Sequence, residues 1–217
     1  MRRIGKYFFD LLPSKMRETV LAHYKGLVRD KVIKEWTLHG KPVPVPHAIK
    51  QITIETYQKK YKTEILIETG TYRGDMVFAQ RNNFRQIISI ELSNDLFLNA
   101  KNRFKGFDHI RILQGDSGNV LKEVVPFIDK PALFWLDGHY SGGITALGEK
   151  ACPIYEELSA VLINEKMNHV LLVDDARLFN GTGDYPTIEA LFGFVKSKNA
   201  AYAMSVEDDI IRLTVGG

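Results

Sequence analysis

The stretch Glu64-Ile-Leu-Ile-Glu-Thr-Gly-Thr-Tyr-Arg-Gly-Asp75 constrains the fold more than any other part of this 217-residue chain. Ile65, Leu66 and Ile67 are apolar without alternation, the pattern of a strand buried on both faces and hence of a parallel sheet. Glu68 closes the run, Gly70 and Gly74 bracket a tight turn, and a helix is expected over about 75–82. A strand, a glycine turn and a helix N-terminus bring backbone N–H groups close to a ligand. A carboxylate at the strand's end repels phosphate, so Glu68 suits a cationic or hydroxyl-rich ligand. Paired glycines also occur in such joints for conformational reasons alone, so the rest of the chain has to decide.

Beyond this stretch, strands and helices alternate at the pace of crossover units. Strands are expected at 86–91, 109–114, 132–137 and 169–174, and helices at 94–104, 119–128, 153–164 and 187–198. Residues 201–206 and 210–215 flank Glu207-Asp208-Asp209 as a terminal antiparallel hairpin. Before the first strand, residues 5–36 carry apolar residues at helical spacing, among them Met16, Val20, Tyr24 and Leu27. Lys41-Pro-Val-Pro-Val-Pro46 reads as an extended linker, and 47–61 as a helix that feeds the sheet. The expected architecture is α/β: a Rossmann-like, mostly parallel sheet with a C-terminal antiparallel hairpin over 47–217. A helical N-terminal extension and Pro linker occupy 1–46.

Charge is unevenly distributed. Residues 1–62 hold 14 Lys and Arg against 5 Asp and Glu, whereas the remainder holds 15 against 21. A basic arm on an acidic domain suits a peripheral contact with an anionic membrane surface, a homodimer interface or simply solvent. Aromatic residues do not interleave with the basic ones, which argues against nucleic acid. No run reaches the length of a transmembrane segment. The N-terminal apolar run is short, is broken by Asp10 and Pro13, and lacks a small-residue cleavage site, so a cytoplasmic protein is expected. The single cysteine, Cys152, leaves no internal disulfide and no cysteine-rich metal site.

Each of the first five expected strands ends in, or is followed within two residues by, a carboxylate: Glu68, Glu91, Asp116, Asp137 and Asp174-Asp175. Ligands of open α/β sheets bind beyond the carboxyl ends of the strands. Five carboxylates gathered there repel each other unless they bind something. Glu91 lies 21 residues after Gly70, where a carboxylate takes the hydroxyls of an adenosine ribose. That position serves NAD as well as S-adenosylmethionine (SAM). The turn lacks a Gly-x-Gly-x-x-Gly fingerprint, because Tyr72 and Asp75 stand at the second and third glycine positions.

Glu68-x-Gly70-x-x-x-Gly74 resembles the first motif of class I SAM-dependent methyltransferases, and Gly115-Asp116-Ser117 resembles their adenine-reading motif. The resemblance covers residues 64–217. It implies a SAM site made by Glu68, Gly70, Thr71, Tyr72, Gly74, Glu91, Leu92, Asp116, Ser117 and Asp137. Asp137 in Trp-Leu-Asp-Gly-His-Tyr and Asp174-Asp175 in Val-Asp-Asp-Ala-Arg are similar to the metal-binding residues of macrolide-sugar-type and catechol-type O-methyltransferases. By that resemblance Asp137, Asp174 and Asp175 hold Mg²⁺ or another hard divalent cation, with Asp137 and His139 catalytic and His139 the candidate general base. The acceptor is then a hydroxylated small molecule, with a sugar or glycoside as its class. The departure is the spacing of 37 residues from Asp137 to Asp174, which leaves the acceptor unassigned. Two alternatives remain: an NAD(P)- or nucleotide-sugar-dependent enzyme on a similar sheet, and a non-catalytic SAM-fold subunit that binds a partner.

Overall fold

The computed structural model describes residues 14–138, 152–164 and 167–216. Its chain forms two compact units, Met1–Ile49 and Lys50–Gly217. In the first, helix α1 (Ser14–Leu38) ends in a turn that brings the following segment back onto its own last residues. The Trp36 indole N–H donates to the Pro42 carbonyl at 2.8 Å, and Trp36, Val45 and Ile49 are buried together against Ile33. The proline segment is therefore not an extended spacer. Val45 lies between two prolines, and burying it against the indole outweighs the extended preference of its neighbours.

Helix α2 (His47–Tyr61) spans the boundary between the units and leads to the sheet. The order then runs β1 (Ile65–Thr69), α3 (Asp75–Gln80), β2 (Gln86–Glu91), α4 (Asn94–Phe104), β3 (Ile110–Gln114) and α5 (Ser117–Val124). It continues with β4 (Leu133–Leu136), α6 (Ile154–Val161), β5 (Val170–Val173), α7 (Ile188–Lys198), β6 (Tyr202–Glu207) and β7 (Ile210–Val215). The seven strands lie in the order β3-β2-β1-β4-β5-β7-β6. β1 to β5 are mutually parallel, and β7 is antiparallel to both β5 and β6. Strand order reverses between β1 and β4, so a ligand is expected beyond the carboxyl ends of those two. Among the described residues, no helix is long and apolar enough to cross a membrane.

Side chains alternate along the strands and divide the core in two. Ile65, Ile67, Phe134, Leu136, Leu171 and Val173 pack with Leu121, Leu158 and Leu191 from α5, α6 and α7. Leu66, Leu133, Trp135, Val170 and Leu172 face the opposite way, onto Ile54 of α2, Val77 of α3 and Phe104 of α4. Phe134 and Trp135 belong to opposite faces and are both core. Because the alternation continues past the strand ends, it also decides which face each terminal carboxylate joins.

His169, just before β5, is buried and takes part in the frame. Its Nδ1 accepts the Ala132 N–H at 3.1 Å, and its carbonyl accepts the Tyr202 hydroxyl at 3.0 Å. Burial pushes the imidazole pKa down to about 4. The depressed value makes a contribution that is complete above the unfolded pKa of about 6.5 and is lost as pH falls toward 4. We expect the wild-type protein to lose up to about 3 kcal/mol more than a His169→Gln variant between pH 6.5 and pH 4. Urea unfolding of both proteins across that range checks this, since carboxylates titrating in the same window are common to both. Parallel stability curves would refute the assignment.

Candidate functional site

Glu68 follows Leu66 on the α2 face of β1, Asp137 follows Trp135 on the same face of β4, and Asp174 follows Leu172 on that of β5. Period-two geometry thus sets three carboxylates on one face of the sheet: Asp137 and Asp174 follow the paired Leu136 and Val173, while Glu68, opposite Trp135, is the penultimate residue of β1. Glu68 and Asp174 are buried and Asp137 is half-buried. Burial raises the Asp137 pKa well above the carboxylate range, Asp174 adds to the rise, Lys50 opposes it, and Asp175 and Glu68 contribute further. Burial pushes Glu68 up to about 8, opposed by a hydrogen bond from the Ser89 hydroxyl and reinforced by the charge on Glu91. That bond is 2.5 Å long, and the Thr71 hydroxyl meets Ser89 at 2.6 Å. Glu68 and Thr71 thereby share one buried network through Ser89.

The turn after β1 crosses β4 at very close range. Gly70 has φ +81°, and a Cβ there would lie 2.2 Å from the Asp137 carbonyl oxygen. The Asp137 N–H donates to the Thr69 hydroxyl at 3.1 Å, which locks the ends of β1 and β4 together. Gly138 is equally confined, since a Cβ would lie 2.7 Å from Glu157 Oε1 and 3.1 Å from the Ser117 and Thr69 hydroxyls. Ser117 and Glu157 are therefore close neighbours of the strand end, and Glu157 of α6 is a buried carboxylate that nothing in the strand pattern indicates.

Glu91 closes β2 and is buried. It accepts the backbone N–H groups of Tyr72 at 2.7 Å and Ser93 at 2.9 Å. These bonds tie the turn after β1 to that after β2, and hold Tyr72 at a φ of +49° that a non-glycine residue rarely takes. Leu92 lies between them, half-buried, its carbonyl accepting from the Gln114 side chain at 3.0 Å. Gly74 precedes α3 with φ +74°, and Asp116 caps α5, its Oδ1 accepting the Asn119 N–H at 3.1 Å. That cap starts α5 at Ser117, two residues earlier than the sequence suggests. His139 and the segment 139–151 lie outside the described residues.

The cation among these carboxylates is Lys50. Its ammonium donates to Asp174 Oδ2 in a short hydrogen bond and lies 3.5 Å from Asp175 Oδ1. Asp174 is fully buried, and its Oδ1 accepts the Asp175 N–H at 2.8 Å. Asp175 also receives the Arg177 guanidinium at 2.7 Å. Arg177 continues to Asp209 in the β6–β7 turn, with its backbone N–H on Asp209 Oδ1 at 2.8 Å. Burial opposes protonation of Lys50, yet Asp174, Asp137 and Asp175 together raise its pKa above the ordinary lysine value. Lys50 is expected to be an ammonium at every physiological pH.

This arrangement bears on the divalent cation that the sequence pattern suggests at Asp137, Asp174 and Asp175. The three are brought to one corner, but among the described residues no group of three or more His, Cys, Asp or Glu is arranged to hold a metal ion. Asp174 spends one oxygen on a backbone N–H and the other on Lys50, and Asp175 spends one on Arg177. A hard cation needs those same oxygen lone pairs, so the carboxylates as arranged do not fit one. Sequence reading missed Lys50 because a lysine in an amphipathic helix reads as solvated. The available signal is that Ile54, Tyr57 and Tyr61 follow it at i+4, i+7 and i+11, which puts Lys50 on the apolar stripe.

No protein-family model and no curated protein sequence matches the chain. Solved structures do match. An O-methyltransferase from Bacillus cereus in complex with SAH superposes with a TM-score of 0.59 at 11% identity, over 98% of this chain and 97% of that one. The O-methyltransferase TomG from Streptomyces achromogenes, involved in tomaymycin synthesis and in complex with SAM, gives 0.58 at 14% identity, over 95% and 100%. The SAH-bound methyltransferase PaMTH1 from Podospora anserina gives 0.56 at 15% identity, over 95% and 99%. The chain therefore has the fold of class I SAM-dependent methyltransferases.

The crossing at Gly70 is open to a direct test. A Gly70→Ala variant is expected to lose about 2 kcal/mol or more, because positive φ and a backbone clash act together. Gly183 has φ +61° with nothing within 4 Å of a built Cβ, so Gly183→Ala should lose only about 1 kcal/mol. Urea denaturation of the two variants measures the difference, and equal losses would show that β1 and β4 do not cross so closely.

Proposed function

We propose that this chain is a SAM-dependent O-methyltransferase acting on a hydroxyl of a small molecule, with a sugar or glycoside as the acceptor class implied by the sequence resemblance. The observation that carries the reading is the presence of Glu68, Glu91, Asp137 and Asp174 at the carboxyl ends of β1, β2, β4 and β5, around the point where strand order reverses. The O-methyltransferases of the same fold found with SAM or SAH support the cofactor class. They support it for the fold as a whole, while the acceptor rests on the motifs alone.

SAM would supply an electrophilic methyl group on a sulfonium. Glu91 is oriented by the Tyr72 and Ser93 amides, and in this reading its remaining lone pairs take the ribose hydroxyls. Gly70 and Thr71 give the backbone turn on which the cofactor would lie. Asp116 and Ser117 at the start of α5 suit the adenine end. Glu68 and Asp137 line the sulfonium side, where neighbouring carboxylates favour a positive charge. On the acceptor side, Lys50 and Asp174 orient the incoming hydroxyl, and His139 is the base this reading assigns to its proton. This reading assigns no step to a divalent metal, because Lys50 and Arg177 already hold Asp174 Oδ2 and Asp175 Oδ1.

Calorimetry with SAM and, separately, NAD tests the cofactor. SAM should bind and NAD should not, and tight binding of NAD without SAM would overturn the reading in favour of a nucleotide-dependent enzyme. Glu91→Ala should weaken SAM binding by roughly 1.5–3 kcal/mol, the scale of hydrogen bonds to a charged group. It should also lower fold stability by about 1–3 kcal/mol, because two backbone N–H groups lose their acceptor. An unchanged SAM affinity in a folded Glu91→Ala protein would remove Glu91 from the site.

A further inference from the structure

We infer that Lys50 is the resident cation of the acceptor side of this site, holding by a single ammonium the place that the Asp137/Asp174/Asp175 pattern would give to a divalent ion. The inference rests on the methyltransferase reading for the word acceptor, but the evidence for it is geometric.

Lys50 does not reach the carboxylates by chance. Ile54, one helical turn along α2, is completely buried against the sheet, and Thr53 is buried beside it. Gln80 of α3 bonds the Gln51 carbonyl at 3.1 Å and fixes the same turn of α2. The lysine stem is thereby held over the ends of β4 and β5 with its side chain only 16% exposed. The partner it meets, Asp174, has no exposure at all. An ion pair of this kind cannot be exchanged freely for water, and removing one member strands the other.

The same geometry limits what the ammonium can do. It donates strongly to Asp174 and reaches Asp175 only at 3.5 Å. An ammonium has three N–H donors and no acceptor, so capacity remains for about one further oxygen. A divalent ion would offer several coordination positions and would chelate a pair of neighbouring hydroxyls. Lys50 offers a single point charge on a flexible stem. The acceptor class that fits is a molecule presenting one hydroxyl, with no requirement for a vicinal pair. Lys50 is in this sense a positioning and specificity residue. It orients the oxygen that is methylated and keeps metal away from Asp174 and Asp175.

Mn²⁺ provides the test, read by electron paramagnetic resonance on the full chain without cofactor or acceptor. The wild-type protein should show no stoichiometric Mn²⁺ site. Lys50→Ala and the similarly sized Lys50→Met should each bind Mn²⁺ at least about tenfold more tightly than wild type, since the carboxylates lose their competitor. Lys50→Arg should behave as wild type. Thermal unfolding shows which variants are folded, and Lys50→Met keeps the test alive if the alanine protein is not. A wild-type site as tight as that of the variants overturns the inference, because the lysine would then yield to metal. Folded variants that gain no Mn²⁺ site overturn it too, because the corner would not be a cation position at all. SAM calorimetry on the same wild-type sample separates the two readings: absent SAM binding defeats the methyltransferase proposal, while the Mn²⁺ result still decides the role of Lys50.

Discussion

Carboxylates gathered on one face of the sheet, with Glu68 and Asp174 fully out of water, set the terms for everything at this end of it. An ionised carboxylate in a dry interior costs several kcal/mol unless it is paired and hydrogen-bonded. Glu68, Asp137 and Asp174 are put together by strand alternation and register, so the chain cannot avoid the problem by choosing rotamers. It meets the problem in three different ways. Burial raises the pKa of Glu68 to about 8 and that of Asp137 above the ordinary carboxylate value. Asp174 is satisfied by Lys50 on one oxygen and the Asp175 amide on the other. Asp175, at the edge, takes Arg177, which in turn anchors the β6–β7 turn through Asp209. The docking of α2 and the position of the terminal hairpin are thus both tied to charges at the ends of β4 and β5.

The turn after β1 is shaped by a different limit, the thickness of a side chain. Gly70 passes so close to the Asp137 carbonyl that a single methyl group has no room. The next residues cannot relax outward either, because Glu91 holds the Tyr72 amide from β2. A site closed by a backbone crossing on one side and a carboxylate tether on the other is preorganised. Little conformational entropy remains to be lost when a ligand arrives. The strained φ at Tyr72 is compensated by that tether, which is the usual reason such a conformation survives in a folded chain.

Much of this is legible in the sequence, and the reason is periodicity. The unbroken apolar runs of β1, β4 and β5 announce strands buried on both faces, and the terminal hairpin follows from two mixed β-prone runs around Glu207-Asp208-Asp209. The terminal carboxylates stand out because acidic residues are rare at the ends of buried strands. Lys50 and Glu157 are less legible, since each sits on a helix where charged residues are ordinary. Only packing against the sheet distinguishes them from solvated neighbours. The start of α5 is misplaced by two residues, because the capping by Asp116 is a local demand that a motif reading does not weigh. The proline segment after α1 misleads as well, because the Trp36 side chain gathers it in through a hydrogen bond to Pro42 that backbone preference alone does not encode.

The exchange of a metal for a lysine has a chemical consequence that follows from charge alone. A divalent cation lowers the pKa of a bound hydroxyl strongly and needs little help from a base. An ammonium orients the same hydroxyl by a hydrogen bond and stabilises the developing oxyanion with half the formal charge. The proton then has to be removed by a group positioned for it, and the burden on a general base is correspondingly larger. Asp174 is committed to Lys50. In the proposed reaction that base is His139, which follows Asp137-Gly138 in sequence. In a site organised around Lys50, the base matters more to turnover than it would beside a metal.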